Sequence, residues 1–434
     1  GPNTRVLCIT EIDPLGIGPA TSTFKQLFGG SAYMELKFKE ILDNPAVRQY
    51  KPRIIVGGAG AWQLEGAEVR RALGVDCVVI GEGEGVLPSL VGEALNGAQL
   101  PEVVHSQAVD ASAIPVIQGG SVDGIVEIAR GCGRGCSFCL PTLQRFRCLP
   151  IEHILREVEL NLRYGRSPLL HAEDVLRYKA KGYEINGPAV RELFESVRRI
   201  PGVEGIGVSH FALSSVASAP DLVEEISTII APVEKSDWMG VQVGLETGSP
   251  KLIKNLMAGK AKPFTPEEWP EMVENAFQIL KENNWVPVST IIIGLPGETD
   301  EDVQHTIDLV SRLKHYKSLI VPLFMVSEGG LKGVSQSFAL DRMTRKQGEL
   351  FLKCWEHNLD WAEVLIKGFF VTKRSGVGYG LKLVLSYGIK QARKLIHRCQ
   401  KEYECDLYAM IKDVREGRLN VAPLPFRLVY PLLK

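Results

Sequence analysis

Between Gly124 and Val326 the sequence repeats one pattern, a short apolar run followed by a longer segment with helical periodicity. The runs are "GIVEIARG" from Gly124, "SPLLHAED" from Ser167, "GIGVSHFA" from Gly205, "WMGVQVGLE" from Trp238, "VPVSTIIIGL" from Val286 and "SLIVPLFMV" from Ser318. Continuous apolar runs of this length are strands buried on both faces, as in a parallel sheet covered by helices. The intervening segments agree. Pro150 opens "IEHILREVELNLRYG" with an apolar stripe at Ile151, Ile154, Val158 and Leu162. "PAVRELFESVRRI", "TPEEWPEMVENAFQILKENN" and "TDEDVQHTIDLVSRL" carry Thr or acidic first turns. Six such units predict a (βα)6 partial TIM barrel, with chemistry at the C-terminal ends of its strands.

The flanks differ. Before Gln118, "RVLCIT", "RIIVGG" and "CVVIGEGEG" read as buried strands, and Tyr33–Leu42 and Leu64–Leu73 read as helices. This alternation predicts an N-terminal Rossmann-like α/β domain. From Glu328 onward "TRKQGELFLKCWEHNLDWAEVLIKGFF" and "KLVLSYGIKQARKLIHRCQKEYECDLYAMIKDVREG" predict a helical C-terminal region. The expected division is 1–118, 119–327 and 328–434. A chain of 434 residues is long enough for two or three such bodies.

Composition narrows the partners. Apolar residues make up 45% and charged residues 23%, the balance of a globular protein in water. Net charge is −1, so no nucleic-acid partner is expected, although a local basic patch remains compatible with that total. There is no apolar run of 18 residues and no visible secretory signal, so no membrane span and a cytoplasmic location are expected. Gly1-Pro2 is read as the scar of a cleaved tag on a trimmed N-terminus.

Chemistry concentrates in "ARGCGRGCSFCLP", where Cys132, Cys136 and Cys139 stand in a C-x3-C-x2-C spacing. Zinc would need a fourth ligand, and Cys148 or His153 is poorly spaced for a compact knot. A redox pair of Cys136 and Cys139 would leave Cys132 without a role. An iron–sulfur cluster held by three thiolates, with one iron open, fits best. Gly131, Gly133 and Gly135 let the loop curl around a compact core.

With Phe138 before Cys139, these residues resemble the C-x3-C-x-Φ-C signature of the radical S-adenosylmethionine (SAM) superfamily. The resemblance implies a [4Fe-4S] cluster on Cys132, Cys136 and Cys139 that binds SAM and cleaves it to a 5′-deoxyadenosyl radical. It also implies SAM-binding roles along the strand ends. Glu173 in "HAED" matches the glutamate that binds the SAM amino group, although His171, Ala172 and Asp174 depart from the usual G-G-E-P. Ser209 lies on the third strand end beside His210. Glu246 in "GLETGSPKL" would face the SAM ribose or methionine end, or else cap the following helix. Gly294 and Pro296 belong to a G-L-P-G-E-T turn in which Gly294 and Gly297 allow close approach to adenine, and Thr299 is expected to cap a helix. His210 and Tyr178 are candidate catalytic residues. Their alternatives are a satisfied core histidine and a surface or core tyrosine. Tyr379 is a more distant candidate of the same kind.

The N-terminal glycine loops are similar to the cobalamin-binding domain that precedes many such barrels. On that resemblance Gly57, Gly58 and Gly60 would line the nucleotide tail. Gly81, Glu82, Gly83 and Glu84 would close its pocket or face the barrel. "DPLGIG" fits the outer pattern of D-x-H-x-x-G with Leu15 where the cobalt-ligating histidine would stand. No histidine occurs before His105, so cobalamin is expected without a histidine ligand to cobalt.

The family implied is therefore the cobalamin-dependent radical SAM methyltransferases. Such an enzyme methylates an unactivated sp3 carbon through a 5′-deoxyadenosyl radical and methylcobalamin, with an external electron donor. "GLETGSPKL" also looks like archaeal members that methylate the Cα of a glutamine in a protein, so a protein, peptide or small-molecule substrate is expected. One alternative is a cobalamin radical SAM enzyme that performs ring closure or carbon–carbon coupling without methyl transfer. Another is a methylthiotransferase, which would carry a second three-cysteine cluster and a β-barrel tail. Only Cys8 and Cys77 precede Cys132, and the tail reads helical.

Overall fold

The structure is a computed structural model and describes residues 1–140, 145–230, 238–371 and 376–419, side chains excepted at 367–371 and 376–383. It is mixed α/β with parallel sheets and a helical C-terminal region. By contacts the chain forms two compact units. The first comprises Gly1–Val116, Phe138–Arg147 and Val326–Ser337, and the second comprises Ile117–Ser137, Cys148–Met325 and Phe338–Lys434. The expected third body at 328–434 is thus divided between the two units.

The first unit is built on four parallel strands, β1 (Val6–Thr10), β2 (Arg53–Gly57), β3 (Cys77–Ile80) and β4 (Val103–His105), in the order β1-β2-β3-β4. Helix Tyr33–Leu42 forms as its periodicity predicts and buries Phe38 and Leu42 against Ile54, Val56 and Val78. The expected helix Leu64–Leu73 is broken. A 3-10 turn spans Ala61–Leu64, and a helix starts only at Ala67 after Gly66, whose extended ψ of 129° ends the first turn. β4 has no counterpart among the expected strands. It is three residues long and pairs with β3 alone.

The second unit carries all six expected barrel strands. They are β5 (Ile125–Glu127), β8 (Leu169–His171), β9 (Gly207–Val208), β10 (Met239–Glu246), β11 (Trp285–Ile293) and β12 (Leu319–Phe324). Two-residue strands β6 (Ala129–Arg130) and β7 (Arg147–Cys148) flank the cysteine loop in sequence. β5-β8-β9 and β10-β11-β12 are parallel sheets. They join where Gln242 N–H donates to the Ser209 carbonyl (2.9 Å) and Phe211 N–H donates to the Gln242 carbonyl (3.0 Å). The result is one six-stranded parallel array with two open edges.

Each edge is met at one residue by an asparagine on a covering helix. At β12 the Asn358 side chain accepts from Ile320 N–H (2.6 Å) and donates to its carbonyl (2.7 Å), replacing a strand partner. Pro322 occupies the next outward register of this edge, where no donor is required. At β5 the Ser121 hydroxyl and the Asn161 amide donate to the Ile125 carbonyl. Asn358 lies on helix Arg345–Val371, which explains why the tail groups with the barrel. Beside it His357 Nε2 meets the Ser318 hydroxyl at 2.8 Å.

Burial pushes the His357 imidazole down to about 4, whereas an unfolded histidine titrates near 6.5. The unfolded chain then binds more protons between these values, so stability falls as pH drops through that window. The expected loss is up to about 3 kcal/mol. Thermal unfolding at pH 7.5 and 5.0 should show a smaller acid shift for His357→Gln than for wild type. Equal shifts would mean that His357 is not the acid-sensitive group.

Candidate functional site

The cysteine loop is a chain of backbone reversals. Gly131, Gly133 and Gly135 hold φ of 75°, 64° and 71°, where an L side chain would be strained. None of the nine cysteines is in a disulfide. In the second unit Cys136 is buried and Cys132 half-buried, and burial pushes the Cys132 thiol up while the Lys260 ammonium opposes the rise. In the first unit the carbonyl of Cys139 lies so close to Gly329 that a Cβ there would collide with it.

What fixes the first half of this loop is Arg134, a residue that sequence reasoning passed over. Its buried guanidinium donates through Nη2 to Asp174 (2.9 Å) and Ser215 (3.0 Å). Through Nη1 it donates to Ser214 (3.1 Å) and to the carbonyls of Gly259 (3.0 Å) and Lys262 (3.2 Å). Asp174 is therefore the loop's counter-ion, which accounts for its departure from G-G-E-P. Its other oxygen accepts from Ala212 N–H (3.2 Å). Arg177 adds a second tether by donating to the Cys132 carbonyl. An arginine inside the cysteine spacing and an acid just past the second strand were the signals available in the sequence.

The barrel mouth separates the two expected glutamates. Glu173 is half-buried and makes no hydrogen bond among the described residues, so its carboxylate is free for a ligand. Glu246 is buried at φ 64° after a register bulge in β10. It accepts from Lys260 (2.9 Å) and Thr290 (3.1 Å). Gly244 makes room for this pair, since a Cβ there would strike both charged groups. Glu246 does not cap the next helix. Ser249 does, accepting from Leu252 N–H (3.3 Å). Ser249 and Lys251 also donate to Asp302 (2.6 and 2.7 Å), whose carboxyl is held low by these bonds and Thr299 against its own desolvation. Thr299 caps its helix as expected, in a reciprocal box with Asp302.

His210 stands edge-on to His171 with ring centroids 5.6 Å apart. Burial lowers its pKa, and its buried Nδ1 has no hydrogen-bond partner among the described residues. Ser209 instead bonds the backbone of Ala172 (3.3 and 3.4 Å), holding the "HAED" turn rather than presenting its hydroxyl. Tyr178 lies in the core. Its hydroxyl donates to the Leu149 carbonyl (3.0 Å), and burial pushes its pKa up. The Tyr379 side chain lies outside the described residues. Gly294 (φ 85°) is packed under the Phe338 ring, and Pro296 beside it is half-buried. The Glu298 carboxyl of this turn accepts from Gly294 N–H (3.0 Å) and Gln347 (2.7 Å) and is pushed up to about 7 by burial.

In the first unit, the glycines expected to approach a ligand divide likewise. A Cβ at Gly58 would strike Glu11, one at Gly60 would strike Ile12 and Pro14, and one at Gly81 would strike Ser106. These three serve close packing of the loops themselves. Gly57 and Gly83 have no atom nearer than 3.8 Å to such a Cβ and are approachable. Glu82 is not presented to a ligand. It is buried in an ion pair with Arg147 (2.5 Å) and accepts from Val109 N–H (3.0 Å). Leu15 is half-buried, with its N–H held by Gln63 (2.9 Å), and Ile12 and Ile17 on the same loop are exposed. Asp13 fixes the loop by accepting from Ile17 and Gly18 N–H (both 2.9 Å) and from Gln63 (2.7 Å).

Residues 126–310 match the radical SAM superfamily. This stretch is a radical SAM domain. The domain implies a [4Fe-4S] cluster and SAM, for which three cysteines at the family spacing, none in a disulfide, and an uncommitted Glu173 are a fitting donor set. The chain is similar to tRNA-2-methylthio-N(6)-dimethylallyladenosine synthase of Magnetococcus marinus, 30% identical over 52% of this chain and 50% of that one. It is also similar to ribosomal protein uS12 methylthiotransferase RimO of Moorella thermoacetica, 26% identical over 60% and 57%. It thus spans little more than half the length of these relatives. Structures of the radical SAM methyltransferase TsrM from Kitasatospora setae share the fold. With tryptophan and a SAM analogue bound, the TM-score is 0.52 at 15% identity over 73% of this chain and 62% of that one. With cobalamin and a [4Fe-4S] cluster bound, it is 0.54 at 14% identity over 75% and 66%.

Asp174→Asn should leave the Arg134 charge buried without its counter-ion, at a cost of about 3–5 kcal/mol. The cluster-free variant should unfold at a clearly lower temperature and retain less iron after reconstitution. Wild-type values for both would show that the loop is held by something else.

Proposed function

We propose that this chain is a cobalamin-dependent radical SAM methyltransferase acting on an unactivated sp3 carbon. The observation that carries this reading is the combination, in one chain, of two features. One is a cysteine loop anchored at the mouth of a partial barrel. The other is a four-stranded parallel unit whose loops after β1, β2 and β3 present exposed Ile12 and Ile17 and the approachable Gly57 and Gly83. The fold shared with TsrM, whose structure holds cobalamin and a [4Fe-4S] cluster, supports it. Exposed Ile12 and Ile17 with half-buried Leu15 offer a hydrocarbon surface that suits a flat macrocycle, and Gly57 and Gly83 leave room for its periphery. On this reading residues 1–118 hold cobalamin, 119–327 hold SAM and the cluster, and 328–434 face the substrate.

When bound, the cluster with SAM supplies a 5′-deoxyadenosyl radical and the corrinoid supplies a transferable methyl group. The chain's own residues do the rest. Cys132, Cys136 and Cys139 hold the cluster, and Glu173 accepts the SAM amino group. Glu246 acts through Lys260, which it fixes as a cation near Cys132. Gly294 and Pro296 shape the nucleoside end. His210 offers an unpaired nitrogen to a donor at the mouth. Leu15 would place hydrocarbon, and no histidine side chain, against the corrinoid, which would supply the transferable methyl group. The first substrate to try is a peptide bearing the glutamine of methyl-coenzyme M reductase, with a chemical or protein electron donor.

A second reading, methylthio transfer, is favoured by the names of the curated relatives. Its expected second cysteine cluster finds only Cys8, exposed on β1, and Cys77, buried on β3. Product analysis separates these reactions. Methylation predicts both S-adenosylhomocysteine and 5′-deoxyadenosine. 5′-Deoxyadenosine alone indicates ring closure or coupling, and sulfur in the product indicates methylthio transfer. Cys139→Ala should lose the brown colour and iron, and a colourless wild type with stoichiometric zinc would overturn the reading. Glu173→Gln should keep its iron but bind SAM about tenfold more weakly by calorimetry, the loss of one charge-assisted hydrogen bond.

A further inference from the structure

The net charge of −1 conceals a segregation. Residues 364–401 contain nine Lys and Arg and no Asp or Glu, so the rest of the chain carries −10. Within this stretch, helix Gly376–Glu402 turns Ile396 and Cys399 inward, where both are buried. Its outer face presents Lys390, Lys394, His397 and Lys401, all exposed. These stand at i, i+4, i+7 and i+11, one side of a helix. Tyr387, also exposed, begins the same stripe one turn earlier.

Most charge runs are solvated faces balanced by acids, and of the five cations here with described side chains only two are so balanced. Arg393 and Arg398 are paired with Asp360 and Glu402. Lys390, Lys394 and Lys401 have no ion-pair or hydrogen-bond partner among the described residues. From Lys390 to Lys401 the rise is about 16 Å at about 1.5 Å per residue. That length spans several phosphates of one nucleic-acid strand at about 3.4 Å each along the axis. Lysines contact phosphate, and an exposed tyrosine among them can stack on an unpaired base, which RNA loops present. A membrane helix would need its apolar side free to enter lipid, whereas here Ile396 and Cys399 on that side are buried.

We propose that the outer face of helix Gly376–Glu402 binds RNA, with Lys390, Lys394 and Lys401 on the backbone and Tyr387 on an unpaired base. This binding stands independently of the proposed reaction. The test uses the full chain and fluorescence anisotropy with an RNA hairpin, the matching DNA duplex and anionic phospholipid vesicles, at 50–200 mM salt. Wild type should bind the hairpin most tightly. Lys390→Gln/Lys394→Gln/Lys401→Gln should weaken binding at least tenfold at 50 mM salt and reduce the log–log salt slope by about 2–3. Tyr387→Ala should weaken hairpin binding at least about fivefold with little change in slope. Absence of RNA binding would overturn the proposal. So would equal binding by the triple variant, or binding of duplex DNA or vesicles as tight as that of the hairpin.

Discussion

Three segments at the barrel mouth converge on the buried guanidinium of Arg134. A guanidinium cannot lose its proton inside a protein, so each loop that closes around it must supply acceptors. The segments after β8, β9 and β10 do so, through Asp174, through Ser214 and Ser215, and through the carbonyls of Gly259 and Lys262. The cysteine loop has little regular structure of its own, and its glycines make it costly to order. The ion pair offsets that cost by tying one loop to three neighbouring segments. Gly259 belongs to the same tie, because a side chain there would strike the Arg134 backbone.

The two glutamates of the mouth show how a structure divides similar residues between tasks. Glu246 has its charge met by Lys260 and Thr290 inside a strained turn. A ligand reaching for it would have to break a half-buried pair and then match it, which returns little net energy. Glu173 has no such commitment. The carboxylate with spare acceptor capacity is the better partner for an ammonium, and the committed one instead determines where Lys260 sits.

Long periodic features were legible in the sequence and short cooperative ones were not. The six barrel strands follow from their apolar runs, the four named helices from their periodicity, and the Thr299 cap from a threonine three residues before Asp302. Leu64–Leu73 kept a helical pattern across Gly66, yet one glycine in extended conformation was enough to divide it. β4 is three residues long and carries no pattern that could distinguish it from a loop. Gly58, Gly60 and Gly81 show the limit of reading glycine as a ligand contact. Glycine marks close approach, and the approaching group here is the protein's own backbone. Tyr178 and Glu82 show the same limit for polar residues, because nearness to a motif says nothing about which buried partner satisfies them.

Open parallel sheets leave unpaired backbone groups at both edges, and such edges invite association with other strands. An eight-stranded barrel removes the problem by closure. This six-stranded array meets it with side chains at one residue of each edge. An asparagine is a peptide group on a short tether, so one residue can both accept from and donate to an exposed backbone unit. Asn358 does this at Ile320, and Asn161 with Ser121 covers the carbonyl of Ile125. Each asparagine lies on a helix that must pack closely to reach its strand. Edge satisfaction and core packing are therefore coupled. The C-terminal helix Arg345–Val371 is then part of what lets six strands stand as a finished sheet, and substitutions there should be judged first as barrel mutations.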